Sequence, residues 1–286
     1  MKKVLIWGAS PSIQTIFQEV NKEYQIIGFI DNNSEKWNTI LFGTKVYSPP
    51  QLVTLEYDYV IIASLSSMTS IKNQILSLGI DEKCILTKYV EYRVRARIDF
   101  LRKLSVELRE ALVLGDVAEV GVFQGDFASH INECFPDKRL YLFDSFNGFD
   151  QRDIEVEQMY QFSNASEGHL KNTSIGLVMQ KMKHPENIVI KEGYFPETTI
   201  GLENTFCFIS MDLDLYRPTI EGLKVLWTKL SVGGVILIHD YYSGAYLGIK
   251  QAVREFQSMI KDVVLFPVGD DCSIGLMKID KFETSI

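Results

Sequence analysis

The sequence predicts an α/β protein: a seven-stranded, doubly wound sheet closed by an antiparallel hairpin, preceded by a smaller α/β unit. Three observations carry this expectation. Short apolar runs alternate with helical periodicity in two separate stretches. One long amphipathic stretch separates them, and 286 residues are enough to bury two cores. The expected division is residues 1–88 for the small unit, 89–112 for a linking helix and 113–286 for the larger unit.

In the small unit, strands are expected at Val4–Trp7, Gln25–Ile30 and Tyr59–Ala63, with helices around Ile13–Lys22 and Met68–Leu78. Beyond Val90, the residues Val94, Ile98, Leu101, Leu104, Leu108 and Leu112 recur at steps of three or four between charged residues, which is one apolar helical face. The larger unit offers strands at Val117–Phe123, Arg139–Phe143, Asn187–Lys191, Phe206–Asp212, Val235–His239, Val263–Phe266 and Ser273–Ile279. Residues 150–175 are polar and show no strand pattern, the expectation for a lid or binding loop beside the strand ends.

A net charge of −8 works against a nucleic-acid partner, which needs clustered Lys and Arg to displace counterions. No apolar stretch reaches the length of a membrane span, and the chain starts directly on the strand-like VLIWG without a leader pattern, so a cytoplasmic protein with no membrane insertion is expected. Cys84, Cys134, Cys207 and Cys272 have no CxxC spacing, and they read as reduced core residues. Self-association is left open.

Residues 119–125 read EVGVFQG, closing a strand and opening a helix near Asp126, a place where nucleotide-like ligands meet glycine turns and exposed helix-start amides. Asp144 ends the next strand, placed to accept ribose hydroxyls. In a dinucleotide site the backbone must approach a pyrophosphate at the middle glycine, where this chain has the bulky Phe123. S-adenosylmethionine has no pyrophosphate, and Glu119 is placed to hold the ammonium of its methionine tail. Gly121 and Gly125 join Glu119 and Asp144 as expected cofactor contacts; the alternative for the glycines is a tight turn with close helix packing.

The run ISMDLDLYRPT puts Asp212 and Asp214 at the end of an apolar strand at a spacing of two, which starts them on one face. A hard divalent cation relieves the repulsion between them. SVGGVILIHDYY puts His239 and Asp240 at the end of the next strand, and parallel strand ends share one crevice. Asp214 has two alternatives, capping the following helix or pairing with Arg217, and Asp240 has one, capping a turn. His239 is a ligand, a proton acceptor or a core-edge imidazole. Among the other histidines, His169 lies in the expected lid and is a candidate substrate contact.

On EVGVFQGDFA, YLFDSFNGF, EGYFPET, MDLDLYRPT and LSVGGVILIHDYY, residues 105–280 resemble the macrocin O-methyltransferase family of sugar O-methyltransferases. The resemblance implies a class I methyltransferase, Rossmann-like fold, S-adenosylmethionine as donor and a divalent ion, Mg²⁺ or Mn²⁺. By motif, Asp212 and Asp240 are implied metal ligands, with His239 beside them, and Asp214 the implied general base. His239 is also a candidate for the proton-handling role. Ser145, Gly193 and Tyr194 complete the expected cofactor contacts. The family carries two adjacent acids where this chain has His239-Asp240, and imidazole suits softer ions than Mg²⁺.

On KVLIWGAS, GFIDNN and YDYVIIAS, the small unit resembles the Rossmann-like domains that precede sugar-modifying acyltransferases. Only Gly8 of the usual glycine set is present; Asp31 stands where a ribose is met in such folds, and a docking role is the other reading. The expected activity is methylation of a sugar hydroxyl, free or nucleotide-linked, in surface polysaccharide or glycosylated natural-product biosynthesis. The rivals are a phenolic-diol methyltransferase, a non-catalytic nucleotide-sugar binding protein and an oxidoreductase.

Overall fold

Val4, Leu5, Ile6 and Trp7 are all buried, and such a continuous apolar run makes a strand covered on both faces. In the computed structural model, which describes residues 1–64 and 67–280, this run is β1 (Lys3–Trp7). It is followed by α1 (Gln14–Glu23), β2 (Gln25–Ile30), β3 (Ile40–Leu41), β4 (Thr44–Tyr47), β5 (Tyr59–Ile62), α2 (Met68–Ser77) and β6 (Ile85–Leu86). The six strands order as β3-β4-β2-β1-β5-β6, parallel except for the β3–β4 hairpin. That hairpin and β6 are absent from the sequence expectation. The hairpin turns on Phe42 and Gly43, both at positive φ, and Phe-Gly lacks the Asn-Gly or Asp-Gly signature of such turns.

The second unit begins within α3 (Lys88–Glu110), the helix expected over Val90–Leu112; the division between the two compact units falls between Arg95 and Ala96. Then come β7 (Asp116–Val120), α4 (Asp126–Cys134), β8 (Leu140–Asp144), α5 (Gln151–Tyr160), α6 (Ile175–Met179), β9 (Ile188–Glu192), β10 (Phe206–Met211), α7 (Tyr216–Lys229), β11 (Leu230–Ile238), α8 (Leu247–Met259), β12 (Val263–Pro267) and β13 (Ile274–Lys278). The sheet order is β12-β13-β11-β10-β7-β8-β9. Strands β7 to β11 are parallel, and β13 pairs antiparallel with both β11 and β12, the expected closing hairpin.

The chain winds outward through β8 and β9, then returns to the other side of β7 with β10. The β7–β10 junction is therefore the point where strand order reverses, and open sheets bind ligands outside the strand C-termini there. Two apolar clusters sandwich the sheet. One collects Phe143, Phe206, Ile209, Leu223 and Phe256; the other collects Leu101, Leu104 and Leu108 of α3 with Ile131, Phe135 and Phe208. A register shift in β10 between Phe206 and Phe208 resets which side chains face which cluster. Among the described residues no helix is long and apolar enough to cross a membrane.

Candidate active site

β7 stops at Val120, and the chain turns sharply because Gly121 adopts φ 82° against the backbone of β10's exit: a Cβ there would stand 2.0 Å from the Asp212 carbonyl oxygen. Residues 121–123, expected as strand, therefore form the turn. Gly125, at φ 77°, is the residue preceding α4, and a Cβ on it would meet Val178 at 2.9 Å. Both glycines thus have a packing reason as well as a loop to shape. Phe123 and Phe146 also sit at positive φ, strained positions that persist only where surrounding bonds hold them.

Asp144 supplies those bonds. Its Oδ2 accepts the N–H groups of Val122 at 2.7 Å and Phe123 at 2.9 Å, and its Oδ1 accepts that of Phe146 at 2.7 Å. The carboxylate expected to meet a ribose thus already ties two loops together. Ser145 donates its hydroxyl to the Gly148 carbonyl, Gly193 donates its N–H to the Asp144 carbonyl, and the Tyr194 hydroxyl donates to Asp153 at 2.8 Å. Expected contacts from three motifs are thereby gathered on the C-terminal side of β8 and β9.

Glu119 pairs in register with Ser210 on β10, both buried. Burial pushes the Glu119 carboxyl well above its usual range, Arg97 opposing this, and its Oε2 has no hydrogen-bond partner. Arg97, one helical turn before Leu101 on α3, reaches the same face. Its guanidinium donates to Asp212 Oδ2 at 3.1 Å and to Ser210 Oγ at 3.2 Å, lies 3.9 Å from the Phe127 ring centre, and leaves a buried Nε unpartnered. Sequence reasoning missed Arg97, because α3 carries several arginines and periodicity marks none of them.

Asp212, Asp214 and Asp240 converge, with carboxylate oxygens within 4.8 Å of one another. Strand alternation is not what brings the first two together: β10 ends at Met211, and Asp214 turns at φ 60° beyond it. Asp240, at φ 56°, follows β11 in the same way. The capping and Arg217 alternatives for Asp214 do not occur among the described contacts. α7 begins at Tyr216, whose N–H is taken by Glu157, and Arg217 pairs with Glu221. His239 is no core-edge imidazole. Its Nδ1 lies 3.1 Å from Asp212 Oδ1 and 2.9 Å from Asp240 Oδ2. Burial opposes charge on the ring, but these two carboxylates hold it well above the ordinary imidazole range. Asp212 and Asp240 are burdened by burial yet held low by His239, whereas burial and the other two acids push Asp214 well up.

Cys272 is a correction to the core reading of the cysteines. Among the four only Cys207 is buried, and the Cys272 thiol faces Asp240 Oδ1 at 3.3 Å. The 150–175 stretch also differs from a plain loop, since it contains α5. Asp153, Ile154 and Glu157 of this helix are buried, and Glu157 accepts from Tyr216 N–H at 2.8 Å and Ser163 Oγ at 2.6 Å. His169 stacks edge-on against Phe149, its ring centre 5.5 Å away.

These residues fit both groups that the motifs imply. An orphaned, buried carboxylate oxygen on Glu119 suits a ligand ammonium. The three carboxylates, with oxygens within 4.8 Å of one another, are the hard oxygen donors that a divalent ion such as Mg²⁺ takes.

The family model described as Macrocin-O-methyltransferase (TylF) matches residues 91–264, more than half of the chain, and covers every site residue named above except Cys272. The chain belongs to that family. A second family model, described as C2185-like, N-terminal, matches residues 1–86. Macrocin-O-methyltransferase relatives include Mycinamicin III 3''-O-methyltransferase of Micromonospora griseorubida, 28% identical over 162 residues, 51% of this chain and 61% of that one. Demethyldecarbamoylnovobiocin O-methyltransferase of Streptomyces niveus is 25% identical over 160 residues, 51% of this chain and 60% of that one. The chain thus spans about three fifths of the length of these curated relatives. Among solved structures, the O-methyltransferase NovP is similar with TM-score 0.53 at 22% identity, covering 65% of this chain and 80% of that one. The calicheamicin methyltransferase CalS11 has TM-score 0.52 at 18% identity, covering 75% and 86%. These two likenesses show a class I methyltransferase fold.

Proposed function

We propose that this chain is an S-adenosylmethionine-dependent O-methyltransferase acting, with a divalent ion, on a sugar hydroxyl. The observation that carries the reading is the convergence of Asp212, Asp214 and Asp240 at the strand-order reversal, beside the EVGVFQG turn. Both named curated relatives are O-methyltransferases, and one carries a sugar-numbered position in its name, which supports the acceptor class.

S-adenosylmethionine supplies an already activated methyl group, and a divalent ion lowers the pKa of a hydroxyl bound to it. Glu119 holds the donor's ammonium, and the Gly121–Gly125 turn leaves room for its tail. Asp144 fixes that turn through the Val122 and Phe123 N–H groups, takes the Phe146 N–H on its other oxygen, and has one acceptor site left for a ribose hydroxyl. Ser145, Gly193 and Tyr194 complete the cofactor wall. Asp212, Asp240 and His239 hold the ion. Asp214, its carboxylate within 4.8 Å of those of Asp212 and Asp240, takes the acceptor's proton at Oδ. Alignment of acceptor and methyl supplies much of the remaining acceleration, and α5 with its flanking loop excludes water.

Residues 1–88 are proposed as a separate domain joined by the 89–112 helix to the catalytic domain at 113–286, and the protein as cytoplasmic. Asp31 in the small domain accepts from Ala9 N–H, Asn33 N–H and Lys36 Nζ, as many donors as Asp144 takes in the larger one.

The test is transfer of labelled methyl to a panel of nucleotide-sugars, surface glycans and catechols, with and without chelator. Calorimetry with S-adenosylmethionine and with NAD runs in parallel. Methylated sugar, chelator sensitivity and binding of the methyl donor alone are expected. Binding of NAD instead, or catechol as the only acceptor, overturns the reading.

A further inference from the structure

Two donor sets overlap at this centre. The three aspartates form one, all oxygen. His239, Asp240 and Cys272 form a second, with imidazole nitrogen, carboxylate oxygen and thiol sulfur within 4.8 Å of one another. Asp240 belongs to both: its Oδ2 meets His239 Nδ1 at 2.9 Å and its Oδ1 meets the Cys272 Sγ at 3.3 Å. The position of the sulfur is built rather than incidental. Cys272 sits in the loop between β12 and β13, and buried Asp270 grips that loop by accepting Cys272 N–H at 3.0 Å, Ser273 N–H at 2.7 Å and Ser273 Oγ at 2.6 Å. The Cys272 carbonyl accepts the Tyr242 N–H at 3.0 Å, binding the loop to the one that carries His239 and Asp240. The sulfur is thus fixed to the two other donors through backbone on both sides.

Thiolate and imidazole favour borderline and soft ions, while an all-carboxylate set favours Mg²⁺. We infer that His239, Asp240 and Cys272 form a mixed nitrogen, oxygen and sulfur site that takes a borderline divalent ion such as Zn²⁺, Fe²⁺ or Co²⁺ in preference to Mg²⁺. A soft ion binds the sulfur as thiolate and releases its proton to solvent. Because His239 and Asp240 are shared, an ion in the mixed set withdraws two of the three ligands, Asp212, Asp240 and His239, proposed for the methyl-transfer ion. The ion that occupies the centre is therefore chosen by Cys272 as much as by the acids. This inference rests on the metal half of the proposed reading and is independent of the methyl-donor half.

The test uses the full chain stripped with chelator and titrated with Co²⁺, Zn²⁺ and Mg²⁺. Co²⁺ is expected to produce a sulfur-to-metal charge-transfer band in the near ultraviolet that disappears in Cys272→Ser. Calorimetry on the same variant is expected to show Zn²⁺ affinity reduced by at least about tenfold, since even residues that only support a ligand contribute that much. Mg²⁺ affinity is expected to stay within about twofold. A second measurement on the unaltered protein guards against misfolding of the variant: Zn²⁺, but not Mg²⁺, is expected to protect Cys272 from alkylation, read peptide by peptide against Cys84 and Cys134. Co²⁺ binding without the band, unchanged Zn²⁺ affinity in Cys272→Ser, or alkylation unaffected by Zn²⁺ overturns the inference. S-adenosylmethionine binding measured on the same samples separates these outcomes from a failure of the methyltransferase reading.

Discussion

Arg97 donates to Asp212 across 115 positions of chain, its guanidinium 3.1 Å from Oδ2 and its charge directed at the same carboxylate that His239 meets from the other side. The pair links α3 to the exit of β10 and offsets the cost of packing four acidic groups, Glu119, Asp212, Asp214 and Asp240, at one crevice. Removing Arg97 leaves Asp212 with His239 as its remaining cation and unpairs Ser210 Oγ. Arg97→Ala is expected to destabilise the chain by about 1–3 kcal/mol in urea denaturation. Arg97→Lys should recover part of that, because an ammonium keeps the charge but cannot donate to Asp212 and Ser210 together from one plane. A loss under about 0.5 kcal/mol for Arg97→Ala would show that the acids need no such cation.

Asp214→Asn keeps the shape of the left-handed turn, since Asn tolerates that backbone, while removing the proton acceptor. Turnover is expected to fall by roughly 10²–10⁴-fold, with calorimetric S-adenosylmethionine affinity nearly unchanged. Weakened donor binding with turnover retained would move Asp214 from base to cofactor support.

Asp153 is buried against Tyr194, and burial raises its carboxyl to about 6 although the Tyr194 hydroxyl, donating to it, pulls the other way. The unfolded value is about 3.9, so the folded chain binds this proton more tightly. Its contribution to stability is therefore complete below about pH 4 and lost as pH rises through about 6. Between these values stability is expected to drop by on the order of 2 kcal/mol from this group. Asp153→Asn should flatten that part of the stability-against-pH curve. An unchanged slope in the variant would exclude Asp153 as its source.

Glu157 joins the polar 150–175 stretch to α7 by accepting the Tyr216 N–H, the first free donor of that helix. Glu157→Ala orphans that N–H and the Ser163 hydroxyl, at a cost of about 1–3 kcal/mol. Limited proteolysis is expected to cut the variant faster within residues 150–175, with the rest of the chain protected. Equal cutting rates in variant and parent would mean that other contacts hold the stretch.

Much of the fold is legible in the residues. Every expected strand of the larger unit is found, shifted at its ends, because each is a short apolar run between turn residues and burial on both faces needs no partner to be named. The short pieces, Ile40–Leu41 and Ile85–Leu86, escape because two residues have no period. The ends shift for a related reason: Gly121, Asp212 and His239 each keep one backbone bond to a neighbouring strand, and the chain turns away directly after them.

At the site, the sequence by itself determined that three acids follow adjacent parallel strands beside a glycine turn, and parallel strands deliver their ends to one crevice. The separations among those acids were decided by tertiary structure, through left-handed turns at Asp214 and Asp240 that alternation cannot express. So were the partners contributed from distant chain. Arg97 comes from a helix whose periodicity speaks only of its apolar face, and Cys272 from a loop set by Asp270. Asp144 is occupied by backbone amides that only the folded turns bring to it. Periodicity reports which way a side chain faces within its own element. Which charge stands opposite is fixed only when elements far apart in sequence pack together.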